Sequence, residues 1–240
     1  MAHSLIVGGS KGLGKAVARK MLERGDTVSI ISRGLPSDTL ESAHYYSADL
    51  EDASTLLPVL EEVTKNRGID YVVFAQRYRG SGDAWGGEIE VSLTSSKTIV
   101  EYMAEKFTGG DNAIVFVSSV FSEFVGQGQP LSYHLGKAGM DSIMRFFAAN
   151  LGKRGVRVNS VTPFTFIKDE SREFYSNQPD LLRMYETIVP MGRIGTADDV
   201  ADAILFFCGP QSRFVSGQNL YVDGGLSVVW SEAIAKSFHK

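Results

Sequence analysis

A single cysteine, Cys208, excludes a disulfide within the chain and fits a reducing, cytoplasmic setting. Basic residues are not in excess. Lys and Arg number 24 against 28 Asp and Glu, a net charge of -4, so no nucleic-acid partner is expected. Long apolar runs are absent too. Leu5, Ile6 and Val7 are the only apolar run before the first glycines, too short for a signal-peptide core, and nothing later approaches the roughly eighteen residues of a membrane span. No membrane association, metal site, repeat, linker or low-complexity segment is expected. What remains is an ordinary globular composition, 43% hydrophobic and 22% charged, over 240 residues. That suffices for one large core in a single domain spanning 1–240.

Strand-like and helix-like segments alternate from end to end. Strands are expected at LIVGG, TVSIIS, HYYSADL, IDYVVFA, NAIVFVSS, VRVNSVTP and GQNLYVDGG. Helices are expected at GKAVARKMLERG, EDASTLLPVLEEVTKNRG, GEIEVSLTSSKTIVEYMAEKF, LSYHLGKAGMDSIMRFFAANLGKRG and TADDVADAILFFCG, the last capped by Thr196. The strands are continuously apolar rather than alternating, the pattern of strands covered on both faces. The fold class is therefore α/β, a Rossmann-like doubly wound parallel sheet of about seven strands. One polar stretch, 162–190, interrupts the alternation after a strand's carboxyl end. It reads as a lid or substrate-binding insert.

The segment VGGSKGLG follows the first strand and opens the first helix. Gly8, Gly12 and Gly14 permit a tight turn and close approach of a pyrophosphate, and the helix N-terminus offers free N–H groups to it. A merely structural turn is the alternative. The second strand ends in Ser32 and Arg33. The acid that would hold a ribose 2′-hydroxyl is missing, and Arg33 with Lys11 supplies cations for a 2′-phosphate, so NADP(H) is expected over NAD(H). Arg33 as a solvated loop residue is the competing reading.

In SYHLGKAGM, Tyr133 and Lys137 stand four residues apart, hence on one helix face, where an ammonium group favours the ionised phenol. Taken in order, GGSKGLG, ADL, IVFVSS, YHLGK, RVNSVTP and SGQNLYVDGG resemble the short-chain dehydrogenase/reductase family over nearly the whole chain. The resemblance implies Tyr133 as general acid or base, Lys137 as its activator and a holder of the nicotinamide ribose, and Ser119 as donor to the substrate carbonyl. Ser118 and Ser122 stand near enough to compete for that last role, and a strand-end hydroxyl capping the next turn is the plainer reading of Ser119. The resemblance also extends the cofactor contacts to Ser10 and Leu13 in the turn, Ser32, Asp49 and Leu50 in the adenine segment, Ala75 after the fourth strand and Pro163 in the late strand.

Four departures from the family pattern cluster at strand ends. Phe74-Ala75-Gln76-Arg77 stands where relatives have Asn-Asn-Ala-Gly. Ser92 aligns with the family's catalytic asparagine, which puts the proton relay in doubt. Phe164 replaces a glycine, and Lys168 a threonine. Arg77, Arg79 and Lys168 bring cations toward the cleft, and an anionic small-molecule carbonyl or alcohol substrate follows unless these side chains point to solvent. The leading expectation is an NADP(H)-dependent oxidoreductase. The alternatives are a catalytically weakened nucleotide-binding sensor and, within enzymes, a 3-oxoacyl thioester reductase. The resemblance implies a homodimer or homotetramer, for which Ile143, Phe146, Phe147 and Leu151 offer an apolar surface that a core-facing helix would equally show.

Overall fold

The computed structural model describes residues 1–107 and 110–238. Seven strands form one parallel sheet: β1 (His3–Val7), β2 (Thr27–Ser32), β3 (Ala43–Ser47), β4 (Tyr71–Phe74), β5 (Asn112–Val117), β6 (Val156–Pro163) and, last in the chain, β9 (Asn219–Val222). Their spatial order is β3-β2-β1-β4-β5-β6-β9. Between β6 and β9 a small parallel pair, β7 (Phe166–Ile167) and β8 (Gly195–Thr196), lies apart from the sheet.

Helices α1 (Gly12–Glu23) and α8 (Ala197–Phe207) cover one face, where Val17, Met21 and Ile204 pack on Ile6, Ile30 and Val115. On the other face lie α2 (Ala53–Thr64), α4 (Ser95–Lys106) and α5 (Leu131–Leu151), whose Leu60, Ile99, Met103, Met140 and Met144 pack on Leu5, Val72 and Ile114. Both faces are thus buried, and every residue of β1, β4, β5 and β6 is buried, including the polar residues that alternate along β6. Among the described residues no helix is long and apolar enough to cross a membrane.

The third expected helix starts earlier and is less regular than its periodicity predicts. A short α3 (Ala84–Glu88) begins on the Asp83 cap and passes through a π-helical turn (Ile89–Thr94) into α4. The wide turn changes what the Val91 carbonyl meets: it accepts from Ser95 Oγ at 2.7 Å and from Gln76 Nε2 at 3.3 Å. Gln76 thereby ties the end of β4 to the turn. Phe74, in the family's asparagine position, is fully buried and stacks on Phe116 of β5 with ring centroids 4.6 Å apart. That departure is a change of core packing, not of the cleft.

The polar stretch after β6 is not a coil. It holds β7, the short α6 (Arg172–Ser176) and α7 (Pro179–Ile188). Phe164 and Tyr175 each meet Tyr185 of α7 edge-on, at 5.8 and 6.3 Å, which fixes the stretch to itself. The apolar surface expected on α5 divides. Phe147 and Leu151 are buried and Ile143 packs against the core, while Phe146 is 63% exposed. The chain ends in α9 (Ser231–Ser237) among the described residues.

Candidate active site

A cleft of about 560 Å³ opens along the carboxyl ends of the parallel strands. Its floor is the glycine turn. Gly8 has φ +84°, and a Cβ there would lie 2.7 Å from the Gln76 backbone; a Cβ on Gly14 would overlap the Gly8 carbonyl. Only glycine permits β1, β4 and α1 to approach so closely. Lys11, the N-cap residue of α1, is extended and supplies no side-chain cap, and the first turn holds no acid. The free N–H groups of α1 therefore present a positive end to the cleft. One of them already meets an anion: Gly12 N–H donates to Glu170 Oε1 at 2.6 Å. Glu170 comes from the stretch after β7, 158 residues away in sequence. A carboxylate seated here shows that the turn accepts oxyanions, so the residues present fit the diphosphate of a dinucleotide. Ser10 and Leu13 line the same floor.

Ser32, Arg33, Asp49 and Leu50 line the far end. Arg33 is exposed, and neither it nor Lys11 forms an ion pair among the described residues. Asp49 is held in a turn, its Oδ1 accepting from Glu51 N–H at 3.1 Å.

The other end gathers Ser119, Tyr133 and Lys137, with Ala75 and Pro163 on the walls. Tyr133 and Lys137 share a face of the first turns of α5. Lys137 is 3% exposed; its Nζ donates to the Val117 carbonyl at 2.7 Å and stands 5.7 Å from the Tyr133 ring centroid. The β5 terminus thus fixes the ammonium beside the phenol. Ser119 Oγ accepts from Phe121 N–H at 3.3 Å, the turn-capping contact, yet Ser119 also lines the cleft. Accepting that bond leaves its own proton free to donate, so the two readings of Ser119 are compatible. Ser118 and Ser122 group around buried Asp141, whose carboxyl is held above the usual range by desolvation.

Of the sequence-predicted set, Ser92 alone does not line the cleft. It is fully buried, and its hydroxyl bonds to the Glu88 carboxylate one turn earlier. Glu88 Oε1 in turn lies 3.0 Å from where a Cβ on Gly136 would stand, so the pair packs on α5 beside Lys137 without opening onto the cleft.

A family model described as Enoyl-(Acyl carrier protein) reductase matches residues 7–227. The chain belongs to the short-chain dehydrogenase/reductase family. Among its relatives in that family, the 3-oxoacyl-acyl-carrier-protein reductase of Thermotoga maritima is 30% identical over 250 residues, covering 93% of this chain and 97% of that one. The L-rhamnose 1-dehydrogenase (NAD(P)(+)) of Azotobacter vinelandii is also 30% identical, covering 93% and 96%. Among solved structures, a short-chain dehydrogenase family protein of Francisella tularensis superposes with TM-score 0.81 at 26% identity, covering 95% of this chain and all of that one.

Sequence reasoning missed several groups of this dehydrogenase/reductase cleft. Gln129, Tyr78 and Tyr175 reach it from loops and from α6, and Glu170 reaches the glycine turn. No spacing rule announces a lone carboxylate in a polar stretch. The only available signal was that an uncapped, acid-free helix start leaves N–H groups in want of an anion.

Proposed function

We propose that the chain is an NADP(H)-dependent oxidoreductase acting on a carbonyl/alcohol pair, with Tyr133 as proton donor or acceptor, Lys137 as its activator and Ser119 polarising the carbonyl. One observation carries this reading: the phenol, the ammonium group and the hydroxyl share a cleft with an oxyanion-accepting glycine turn. Gly8, Gly12, Gly14 and the start of α1 would hold the diphosphate, with Ser10 and Leu13 beside them. Asp49 and Leu50 would flank the adenine, and Ala75 and Pro163 the nicotinamide half. Arg33 and Lys11, exposed and without ion pairs among the described residues, support a 2′-phosphate and hence NADP(H) over NAD(H).

The bound dinucleotide supplies or accepts the hydride. As charge grows on the carbonyl oxygen, Tyr133 Oη gives up its proton to it and Ser119 Oγ donates a hydrogen bond. Lys137, anchored on Val117, stabilises the phenolate left behind. The stretch 162–190 acts as the lid over substrate. The match to 3-oxoacyl reductases supports a 3-oxoacyl thioester as a second substrate reading. The bond from Ser92 to Glu88 favours the competing reading, a nucleotide-holding protein of weakened turnover. Family likeness supports a homo-oligomer, in which exposed Phe146 would be covered.

The test is a titration with NADPH and NADH, then turnover over a carbonyl panel. Tyr133→Phe is expected to lower kcat by about 10²–10⁴-fold with NADPH affinity retained. Full activity in that variant, or no affinity for either dinucleotide, removes the reading. Tight NADPH binding without any turnover selects the sensor.

A further inference from the structure

The reacting end of the cleft holds more positive charge than the reaction requires. Arg77 stacks its guanidinium 4.6 Å from the Tyr133 ring centroid. Its Nη2 donates to Gln129 Oε1 at 3.3 Å, and its Nε is buried with no partner. A buried N–H of a charged group left unmatched is costly, and marks a place for an acceptor. Arg79 stands beside it at the rim, and Lys168 lies on the facing stretch. Desolvation at the cleft wall, then the neighbouring cations, pull Arg79 and Lys168 below their ordinary values. Among the described residues none of the three forms an ion pair, whereas Arg19, Arg24, Arg157 and Arg193 all do.

The three cations are close enough to act on one another, yet their nearest contacts differ. Lys168 lies over the glycine turn, its Cδ 3.3 Å from where a Gly12 Cβ would stand, and so belongs with the diphosphate end. Arg77 lies instead against the phenol at the end where substrate reacts, with Arg79 beside it.

We propose that the substrate carries an oxyanion group, a carboxylate or a phosphate, close to its reacting carbonyl, and that Arg77 with Arg79 receives it beside Tyr133. The inference rests on the oxidoreductase reading above and specifies its substrate class. A guanidinium with a free edge matches the two oxygens of such a group, and its stacking on Tyr133 sets the anion at a fixed distance from the proton donor. Lys168 serves the cofactor, which separates the two anion sites of one cleft.

The test has a kinetic and a binding arm. In the first, oxo acids are compared with their methyl esters, and sugar phosphates with the free sugars, in wild type, Arg77→Ala, Arg77→Lys and Arg79→Ala. Wild type is expected to prefer the anionic member. Arg77→Ala lowers the anionic-to-neutral ratio of kcat/KM about ten- to a hundredfold, while NADPH affinity is retained. Arg77→Lys restores only part of the loss, because an ammonium lacks the planar fork. Whether oxo acids or sugar phosphates show the effect identifies the anion. In the second arm, succinate and inorganic phosphate are tested for a rise in the Tm of the NADPH-loaded protein, expected in wild type for at least one of the two and lost in Arg77→Ala. Equal use of acid and ester by wild type overturns the proposal. So does weakened NADPH binding in Arg77→Ala with the acid-to-ester ratio kept, which would assign these cations to the cofactor. If no carbonyl turns over at all, the oxidoreductase reading fails by itself, and the Tm arm still decides the anion site: no shift in wild type, or the same shift in Arg77→Ala, sinks it.

Discussion

At the residue scale, burial decides which side chains are chemically available. Cys208 is fully buried, and desolvation pushes its thiol up to about 12. The native protein is therefore expected to show no thiol reacting with a disulfide reagent at pH 8, and one after denaturation. A fast-reacting thiol in the folded chain would contradict the packing of α8 on the sheet. Lys137 is as deeply placed, at 3% exposure, yet its ammonium is matched by the Val117 carbonyl. That contact gives a buried polar group a hydrogen-bond partner. Burial does not separate Ser119 from Ser118, since both are buried and both line the cleft; they differ in that Ser119 caps the next turn while Ser118 lies near Asp141. Tyr133 and Lys137, singled out by their spacing, and Ser119, implied by the family resemblance, all line the cleft, because each lies in or beside a regular element whose geometry fixes its direction. Spacing did not foresee the bond from Ser92 to Glu88 inside a π-helical turn, because the amino-acid pattern does not announce such a turn.

At the element scale, the two helix starts on one face of the sheet are finished differently. Helix α8 is closed by a capping box: Thr196 Oγ1 accepts from Asp199 N–H at 3.2 Å, and Asp199 accepts from Thr196 N–H at 2.8 Å. Arg193 binds the same carboxylate through both terminal nitrogens at 2.8 Å, holding it well below the usual range. Asp199→Ala is expected to cost about 1–2 kcal/mol, read as a lower Tm at neutral pH. Because the folded-state carboxyl is depressed, its contribution is complete above the ordinary Asp value of about 3.9 and shrinks as pH falls below it. Wild type and variant should therefore converge in acid; a constant gap down to pH 2 would contradict the ion pair. Helix α1 lacks such a cap, and Glu170 from the stretch after β7 takes the position instead. If the diphosphate displaces that carboxylate, Glu170→Gln should tighten NADPH binding about two- to fivefold. An unchanged Kd would mean the acid and the dinucleotide do not share the site.

At the scale of the whole molecule, the sheet separates two apolar cores, and the cleft runs along its carboxyl edge between them. A ligand there touches β1, β4 and β5 ends as well as the stretch after β6, so its binding energy is felt by the entire fold. At about a hundred times its Kd, NADPH should add about 2.7 kcal/mol to stability and raise Tm by about 5–10 °C. A smaller rise with NADH at equal concentration would support the role of Arg33, and the difference should vanish in Arg33→Ala. A doubly wound parallel sheet of about seven strands, with a ligand site beyond its carboxyl ends, was legible in the sequence, since apolar strands alternating with amphipathic helices admit few arrangements; the strand order was not.

The sequence by itself determined the parallel sheet, the glycine turn and the one-turn spacing of Tyr133 and Lys137, because each depends on local periodicity or on residues close in the chain. Only the tertiary structure decided that Phe74 is core, that Glu170 sits on the first helix, that Ser92 is buried against Glu88, and that Arg77 rather than Lys168 lies against Tyr133. Those outcomes rest on contacts between residues far apart in sequence, and burial and charge act through distance in space, which no pattern along the chain records.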